Sequence, residues 1–158
     1  MARRGQRLED QLAGVAYLKT LPPSPGDAPK FAANPATAAA LAKGHEANRG
    51  AELYDDNCAA CHRTDGEGSP KALPKIAGNS SVLAQDPNSL IRLVLAGSTL
   101  PGTAGAPSPL AMPGFAWRLS NDEVAQLLTF IRTSWGNQAS SVSASEVARV
   151  RGSLGAQR

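Results

Sequence analysis

The five residues Cys58-Ala59-Ala60-Cys61-His62 constrain this chain more than any other stretch, because they contain both of its cysteines and one of its two histidines. The pattern C-x-x-C-H is the attachment signature of a c-type haem. Two thiols three positions apart at a helix end reach the two vinyl groups of one porphyrin and form thioethers, which holds the next residue beneath the iron. We therefore predict one covalent haem c, with His62 as its proximal ligand.

The cysteine pair has two alternative interpretations, a disulfide and half of a zinc site. Structural zinc sites normally use four protein ligands, and the whole inventory here is Cys58, Cys61, His62 and His45, with no second C-x-x-C. A thioredoxin-like redox pair requires a βαβ context, which the sequence does not show. The inventory therefore favours haem attachment.

Few residues could supply the second iron ligand, since the chain has two methionines, Met1 at its start and Met112. Haem iron is commonly held by His on one face and Met on the other. Pro113 favours an extended backbone at Met112, which suits a stiff loop presenting a thioether. Two alternatives remain open: Met112 fills a gap in the core, or His45, expected to be exposed, is the sixth ligand.

Further contacts follow from the chemistry of such a pocket. A metal-bound histidine usually donates its other ring N–H to a carbonyl, and the Pro74 carbonyl is the candidate partner of His62, unless Pro74 is simply a turn proline. Buried propionates need hydrogen-bond donors, and the candidates are Trp117, Arg118 and Asn79. The expected lining residues are Phe115 and Ile76.

The hydrophobic pattern predicts an all-α fold with long loops around the cofactor. Helices are expected at 7–20 and 46–57, from the Asp86-Pro87 start to Gly97, and from the capping box at Ser120 to about residue 135. No alternating strand pattern occurs. Gly50 lets another helix approach closely, so the last helix is expected to cross the second one there, with an aromatic side chain over the glycine.

Residues 1–44 are predicted to be an N-terminal helix and a Pro/Ala-rich linker, with a short helical turn at 36–41, before a main domain at 45–151 and a tail at 152–158. Residues 16–20 (AYLKT) are similar to residues 129–133 (TFIRT). Similar helices one domain length apart indicate that residues 1–22 are the tail of a preceding, similar domain, although amphipathic helices also resemble each other by chance. This helix is expected to pack on the main domain or on a neighbouring chain, which permits a dimer or helix exchange.

Charge and hydropathy exclude several classes of function. The net charge is +3, but the basic residues cluster at the two ends, which we interpret as solvated ends or subunit contacts rather than a nucleic-acid footprint. No run of about 18 apolar residues exists, so no membrane span is predicted. Residues 97–109, rich in Gly, Pro, Ser and Ala, are expected to form a long loop that either contacts a redox partner or has no specific function.

Location is predicted from the chemistry of haem attachment. Glu9 and Asp10 interrupt the place where the apolar part of an export signal should begin, yet attachment of this type takes place outside the bacterial cytoplasm. We expect the chain to be part of a longer protein in the periplasm or at the outer face of the cytoplasmic membrane.

These residues together resemble a class I cytochrome c domain. The segments GAELY (50–54), CAACH (58–62), GEG (66–68) and IAGN (76–79) are similar to the third haem domain of triheme cytochrome subunits from bacterial membrane-associated alcohol, aldehyde, gluconate and sugar dehydrogenases. MPGF (112–115) and IRTSWGN (131–137) strengthen the resemblance, which covers roughly Glu46 to Arg151. It implies three to four main helices around one haem carried by Cys58, Cys61, His62 and Met112.

The resemblance also implies a function as an electron carrier rather than an enzyme. In such subunits the cytochrome accepts electrons from a flavin or quinoprotein dehydrogenase and passes them to a quinone or a terminal oxidase. This chain differs from the pattern in having one haem motif rather than three. The alternative function is a haem enzyme or sensor with an open iron site, of the peroxidase type, although no distal His or Arg pattern is visible.

Overall fold

A computed structural model describes residues 31–99, 101–102 and 109–155, together with residues 13, 14, 16, 17 and 20. The helices are α1 (Ala36–Leu41), α2 (Arg49–Asn57), α3 (Ala59–His62), α4 (Ser80–Leu83), α5 (Asn88–Ala96), α6 (Asn121–Thr133) and α7 (Ala144–Gly155). Strands β1 (Ser98–Thr99) and β2 (Ala111–Met112) form one antiparallel pair. The fold is all-α, as predicted, and this pair is too short to produce an alternating pattern.

Helices α2 and α6 cross at Gly50, as predicted. A Cβ added to Gly50 would collide with the Gln126 carbonyl oxygen and lie 2.8 Å from Cβ of Phe130. The Tyr54 ring lies one turn later, with its centroid 5.6 Å from that of Phe130. The two backbones therefore approach closely because position 50 has no side chain.

Replacing Gly50 with alanine is expected to lower the free energy of unfolding by about 2 kcal/mol, because overpacking at a helix crossing outweighs the better helix propensity of alanine. Gly152 of α7 is a matched control, since a Cβ there meets nothing within 4 Å. Gly152→Ala should instead stabilise the protein by up to about 1 kcal/mol. Chemical denaturation measures both values, and equal effects at the two positions would contradict the crossing described here.

Capping side chains set the helix boundaries. The α2 helix begins at Arg49 rather than at the predicted residue 46, because the Asn48 side chain accepts a hydrogen bond from the Ala51 amide at 3.0 Å and so acts as the N-cap. The predicted capping box of α6 is present, with Ser120 and Glu123 bonded reciprocally. Asp86 accepts from the Asn88 amide at 2.9 Å at the start of α5.

Helix α7 has no counterpart in the sequence-based prediction, and its arginines are bound within the chain. Arg151 donates to the Asn121 side chain and to the Ala116 and Leu119 carbonyls at 2.6–2.7 Å, and Arg149 donates to Asn88 at 3.1 Å. Arg149 is exposed, which agrees with its interpretation as part of a solvated end, whereas that interpretation was wrong for Arg151, which is half-buried and makes three hydrogen bonds within the chain. The two arginines fasten α7 to the segment before α6 and to the start of α5.

The N-terminal region is described only in part. The predicted helical turn at 36–41 is α1, and its Leu41 side chain is buried in the core. Of the helix predicted at 7–20, residues 13, 14, 16, 17 and 20 are helical and exposed, and the rest lies outside the described residues, as does the linker stretch 22–30. Within the part of the chain that the structure describes, no helix is long and apolar enough to cross a membrane.

Candidate haem-binding site

The C-x-x-C-H motif lies where α2 ends and α3 begins. Cys58 is the C-cap of α2, and its carbonyl accepts from the His62 amide at 2.9 Å, so the motif forms one short helical turn. Both thiols are free, Cys58 buried and Cys61 exposed. Burial, with a smaller contribution from the neighbouring Cys61, raises the pKa of Cys58 to about 12. Cys58 is therefore a neutral thiol at neutral pH.

The His62 ring is oriented by the contact predicted from the sequence. Its Nδ1 lies 2.9 Å from the carbonyl oxygen of Pro74, and since a carbonyl only accepts, Nδ1 carries the proton. The lone pair of this tautomer is then on Nε2, the atom that can bind a metal. The half-buried ring is thus held in the form that an iron ligand requires.

The loop after His62 brings Pro74 back to the ring. Gly68 donates its amide to the His62 carbonyl at 3.1 Å and has a φ of +60°. A Cβ at this position would lie 2.6 Å from the Pro74 carbonyl oxygen. The turn therefore requires glycine at position 68, both for its conformation and for space.

Two buried aromatic residues that sequence analysis did not assign to the site hold the start of this loop. Tyr54 donates its hydroxyl to the Arg63 carbonyl at 2.6 Å, and Trp135 donates its indole N–H to the Thr64 carbonyl at 2.9 Å. Their rings make an edge contact with centroids 4.9 Å apart, and burial raises the pKa of Tyr54. The available signal was their position: Tyr54 lies one turn after Gly50 on α2 and Trp135 directly follows the C-cap of α6, the two helices predicted to cross.

Met112 lies on β2, which pairs with β1 through Ser98 and Thr99. Just after it, the Phe115 and Ala116 amides donate to the Val94 and Leu95 carbonyls at 2.9 and 3.1 Å. These bonds satisfy the free carbonyls at the end of α5. The segment that carries Met112 is therefore fastened to a helix end, as a stiff ligand loop requires.

Close backbone contact between this segment and α5 depends on a glycine. A Cβ at Gly114 would lie 2.7 Å from the Leu95 carbonyl oxygen. Met112 itself is half-buried and packs against the core cluster that also contains Cys58, Ile76 and Phe115. The structure thus brings the two halves of the predicted site to one cluster.

The other predicted site residues differ in their surroundings. Ile76 and Phe115 are buried, whereas the Trp117 side chain is 83% exposed and Arg118 is exposed. Asn79 caps α4 by accepting from the Ser81 amide and donates to the Lys75 carbonyl, both at 2.9 Å. His45, the rival ligand, is exposed, as predicted.

The residues at the site fit a haem better than a metal ion alone. Among the described residues, no group of three or more His, Cys, Asp and Glu side chains is placed to hold a metal ion, which disfavours the zinc interpretation. The core cluster that contains Cys58 also contains Ile76 and Phe115, and Met112 packs against it, so apolar side chains surround the attachment point. The site therefore combines two thiols, one oriented imidazole, one thioether and apolar surface.

A separate open cavity of about 300 Å³ lies between the start of α2 and α6. Its lining includes Asn48, Gly50, Gln126 and Phe130, and neither the motif nor Met112 contributes to it. We assign it no role in haem binding.

Comparison with known proteins gives the family. The cytochrome c family model matches residues 47–135. The chain is 42% identical over 146 residues to the cytochrome c subunit of a quinone alcohol dehydrogenase from Gluconacetobacter polyoxogenes, a match that covers 90% of this chain and 31% of the relative. It is 43% identical over 146 residues to the gluconate 2-dehydrogenase cytochrome c subunit of Pantoea cypripedii, covering 90% of this chain and 33% of that subunit.

A smaller relative matches a shorter stretch of the chain. Cytochrome c-552 of Thermus thermophilus is 36% identical over 94 residues, which are 56% of this chain and 69% of that protein. The chain spans about a third of the length of the two dehydrogenase subunits. The haem attachment motif, the oriented histidine and these matches lead to one conclusion: the chain belongs to the cytochrome c family, electron-transfer proteins that bind haem c covalently.

Proposed function

We propose that this chain carries a single haem c, bound through Cys58 and Cys61 and ligated by His62 and Met112, and that it exchanges electrons one at a time with partner proteins. The observation that carries the proposal is the His62 ring, whose Nδ1 proton is directed to the Pro74 carbonyl and whose Nε2 is left as a ligand. Bound haem c supplies reversible one-electron redox chemistry.

The chain's own residues keep the ligand set rigid. The Pro74 carbonyl orients the His62 ring and increases its basicity, while Tyr54 and Trp135 hold the intervening loop. Met112 is held through the bonds between its segment and α5. A site with both axial positions filled by rigidly held side chains favours outer-sphere electron transfer with little rearrangement, rather than chemistry at an open iron.

The remaining contacts are assigned by chemistry. We propose that Ile76 and Phe115 line the haem pocket, because both are buried in the cluster that contains Cys58. Trp117 and Arg118 are the proposed propionate donors, since both side chains are exposed. Asn79 retains one amide hydrogen for such a bond beyond the one donated to Lys75.

We further propose that the chain acts as a haem domain of a dehydrogenase cytochrome subunit, at the periplasmic side of the cytoplasmic membrane. The support is the similarity over 90% of the chain to subunits of alcohol and gluconate dehydrogenases. The donor would be a quinoprotein or flavin dehydrogenase and the acceptor a quinone or a terminal oxidase. In this proposal the haem domain is 45–151, residues 1–22 are the tail of a preceding domain, and that helix is the contact in any dimer or helix exchange.

The visible spectrum of the haem-loaded protein tests the ligand set. We expect sharp, split bands in the reduced form and the weak red band of sulfur-ligated iron in the oxidised form. A five-coordinate spectrum would favour the peroxidase-like or sensor alternative, and a purified protein without haem absorbance would exclude both haem functions.

A further inference from the structure

We propose that residues 31–37, here called the strap, are a positioning element for His62: they hold the loop that presents the Pro74 carbonyl to the imidazole. The inference rests on the proposed function, in which His62 is the iron ligand. It concerns a segment outside the part of the chain that matches the cytochrome c family model, which begins at residue 47.

The strap is bound along the turn that follows α6. The Ala32 amide donates to the Gly136 carbonyl at 3.3 Å, and the Asn34 amide donates to the Trp135 carbonyl at 3.0 Å. Gly136 has a φ of +96°, and a Cβ there would collide with the Ala32 carbonyl oxygen. The two backbones therefore pack together at a point where only glycine fits.

The strap reaches the loop after Pro74 through Phe31. A Cβ on Gly78 would lie 3.0 Å from the Phe31 ring, so ring and backbone are in contact. The Lys75 ammonium lies 5.6 Å from the centroid of the same ring, a cation–π distance. The Phe31 ring therefore contacts Gly78 and lies under the Lys75 ammonium, and both residues belong to the segment that follows Pro74.

Gly78 is also bound by Asn137, the residue that pairs with Phe31. Asn137, which forms an antiparallel bridge with Phe31, is 3% exposed. Its Oδ1 accepts from the Gly78 amide at 2.8 Å, and its Nδ2 donates to the Ile131 carbonyl at 2.8 Å. Both hydrogen-bonding ends of this buried amide are satisfied, so Asn137 connects the strap, the last turn of α6 and Gly78.

The contacts continue from Gly78 back to the ligand. The Ile76 and Ala77 amides both donate to the Gly66 carbonyl, at 2.7 and 3.1 Å, which makes residues 76–78 one short, bonded unit. Lys75 joins Pro74 to this unit, and its carbonyl accepts from the Asn79 side chain at 2.9 Å. Before Pro74, Leu73 and Ser69 exchange two backbone hydrogen bonds at 2.9 Å. The position of the Pro74 carbonyl therefore depends on two anchors, and the strap and Asn137 hold the second of them.

The test uses the full haem-loaded chain with Phe31→Ala, a change at a side chain that is 37% exposed and so compatible with folding. We expect the Gly78 amide to exchange with solvent several-fold faster. We also expect the reduction potential to rise, because a weaker bond from His62 to Pro74 makes the imidazole a poorer donor to ferric iron. Phe31→Leu, which keeps an apolar side chain on Gly78, should restore most of both properties.

Two further variants complete the design. Gly136→Ala displaces the strap from its other side and should reproduce the effects of Phe31→Ala. Tyr17→Ala removes an exposed aromatic side chain outside the strap (65% exposed) and should change neither property. Faster exchange at Gly78 with an unchanged potential would overturn the positioning role, as would unchanged exchange or an equal effect of Tyr17→Ala. A failure of the His/Met assignment is seen separately, in the wild-type spectrum.

Discussion

Met112→Ala is expected to open one face of the iron, so that added cyanide or imidazole binds and the weak red band of the oxidised protein disappears. The reduction potential should fall by on the order of 0.1 V or more, because a methionine ligand stabilises ferrous iron. The overall fold should survive, since Met112 is only half-buried and its segment is held to α5 through backbone bonds at Phe115 and Ala116. Spectroscopic titration with each added ligand and a redox titration measure these changes.

Leu110→Ala is the matched control, because Leu110 is an apolar residue of the same segment that is 38% exposed. Its spectrum should remain that of the wild type. If Met112→Ala also left the spectrum unchanged, Met112 would not be the ligand. His45→Ala would then test the rival residue directly.

Arg132→Met is expected to cause the largest loss of stability among substitutions away from the site, about 3 kcal/mol in the free energy of unfolding. The Arg132 side chain is 0% exposed, and burial lowers the pKa of its guanidinium. The guanidinium donates to the Val82, Ala84 and Ser140 carbonyls at 2.6, 2.9 and 2.7 Å. Methionine fills part of the volume but leaves these carbonyls without donors, and relief of the buried charge offsets only part of that cost.

The control for this prediction is Arg149→Met, which removes an exposed arginine with one hydrogen bond, to Asn88. We expect a change within about 0.5 kcal/mol there, and an intermediate loss for Arg132→Lys, since an ammonium cannot reproduce the planar fork of donors. Urea denaturation gives all three values. Equal stability of Arg132→Met and the wild type would show that the three carbonyls find other partners.

Elements governed by local chemistry were predictable from the sequence. The capping box at Ser120, the capping acid Asp86 and the glycine at position 50 each act within a few residues or through the lack of a side chain. The start of α2 was misplaced by three residues, although Asn48 is the single Ser, Thr, Asp or Asn residue between positions 42 and 48 and caps the helix as such residues do. Helix α7 was missed although its signal is present in the sequence: Ser143 and Glu146 form a capping box, and the apolar residues that follow, Val147, Val150 and Leu154, have helical spacing.

The contact between His62 and Pro74 was also predictable, since the two residues are only 12 positions apart and one short loop joins them. The assignments of Met112 and of the propionate donors remain predictions, and they depend on the inventory of the chain. Arg151 shows the opposite case. Nothing in its neighbourhood along the chain indicates that it binds the carbonyls of Ala116 and Leu119, 35 and 32 positions away.

By itself, the sequence determined the kind of chemistry: the C-x-x-C-H motif leads to covalent haem c and electron transfer, with His62 and Met112 as the predicted iron ligands. Only the tertiary structure decided what holds that chemistry in place. Trp135 reaches Thr64 across 71 positions and Asn137 reaches Gly78 across 59. Such contacts depend on the packing of distant segments, on which residue type and helical periodicity carry no information. The motif therefore names the cofactor, and the fold determines how firmly His62 is oriented towards it.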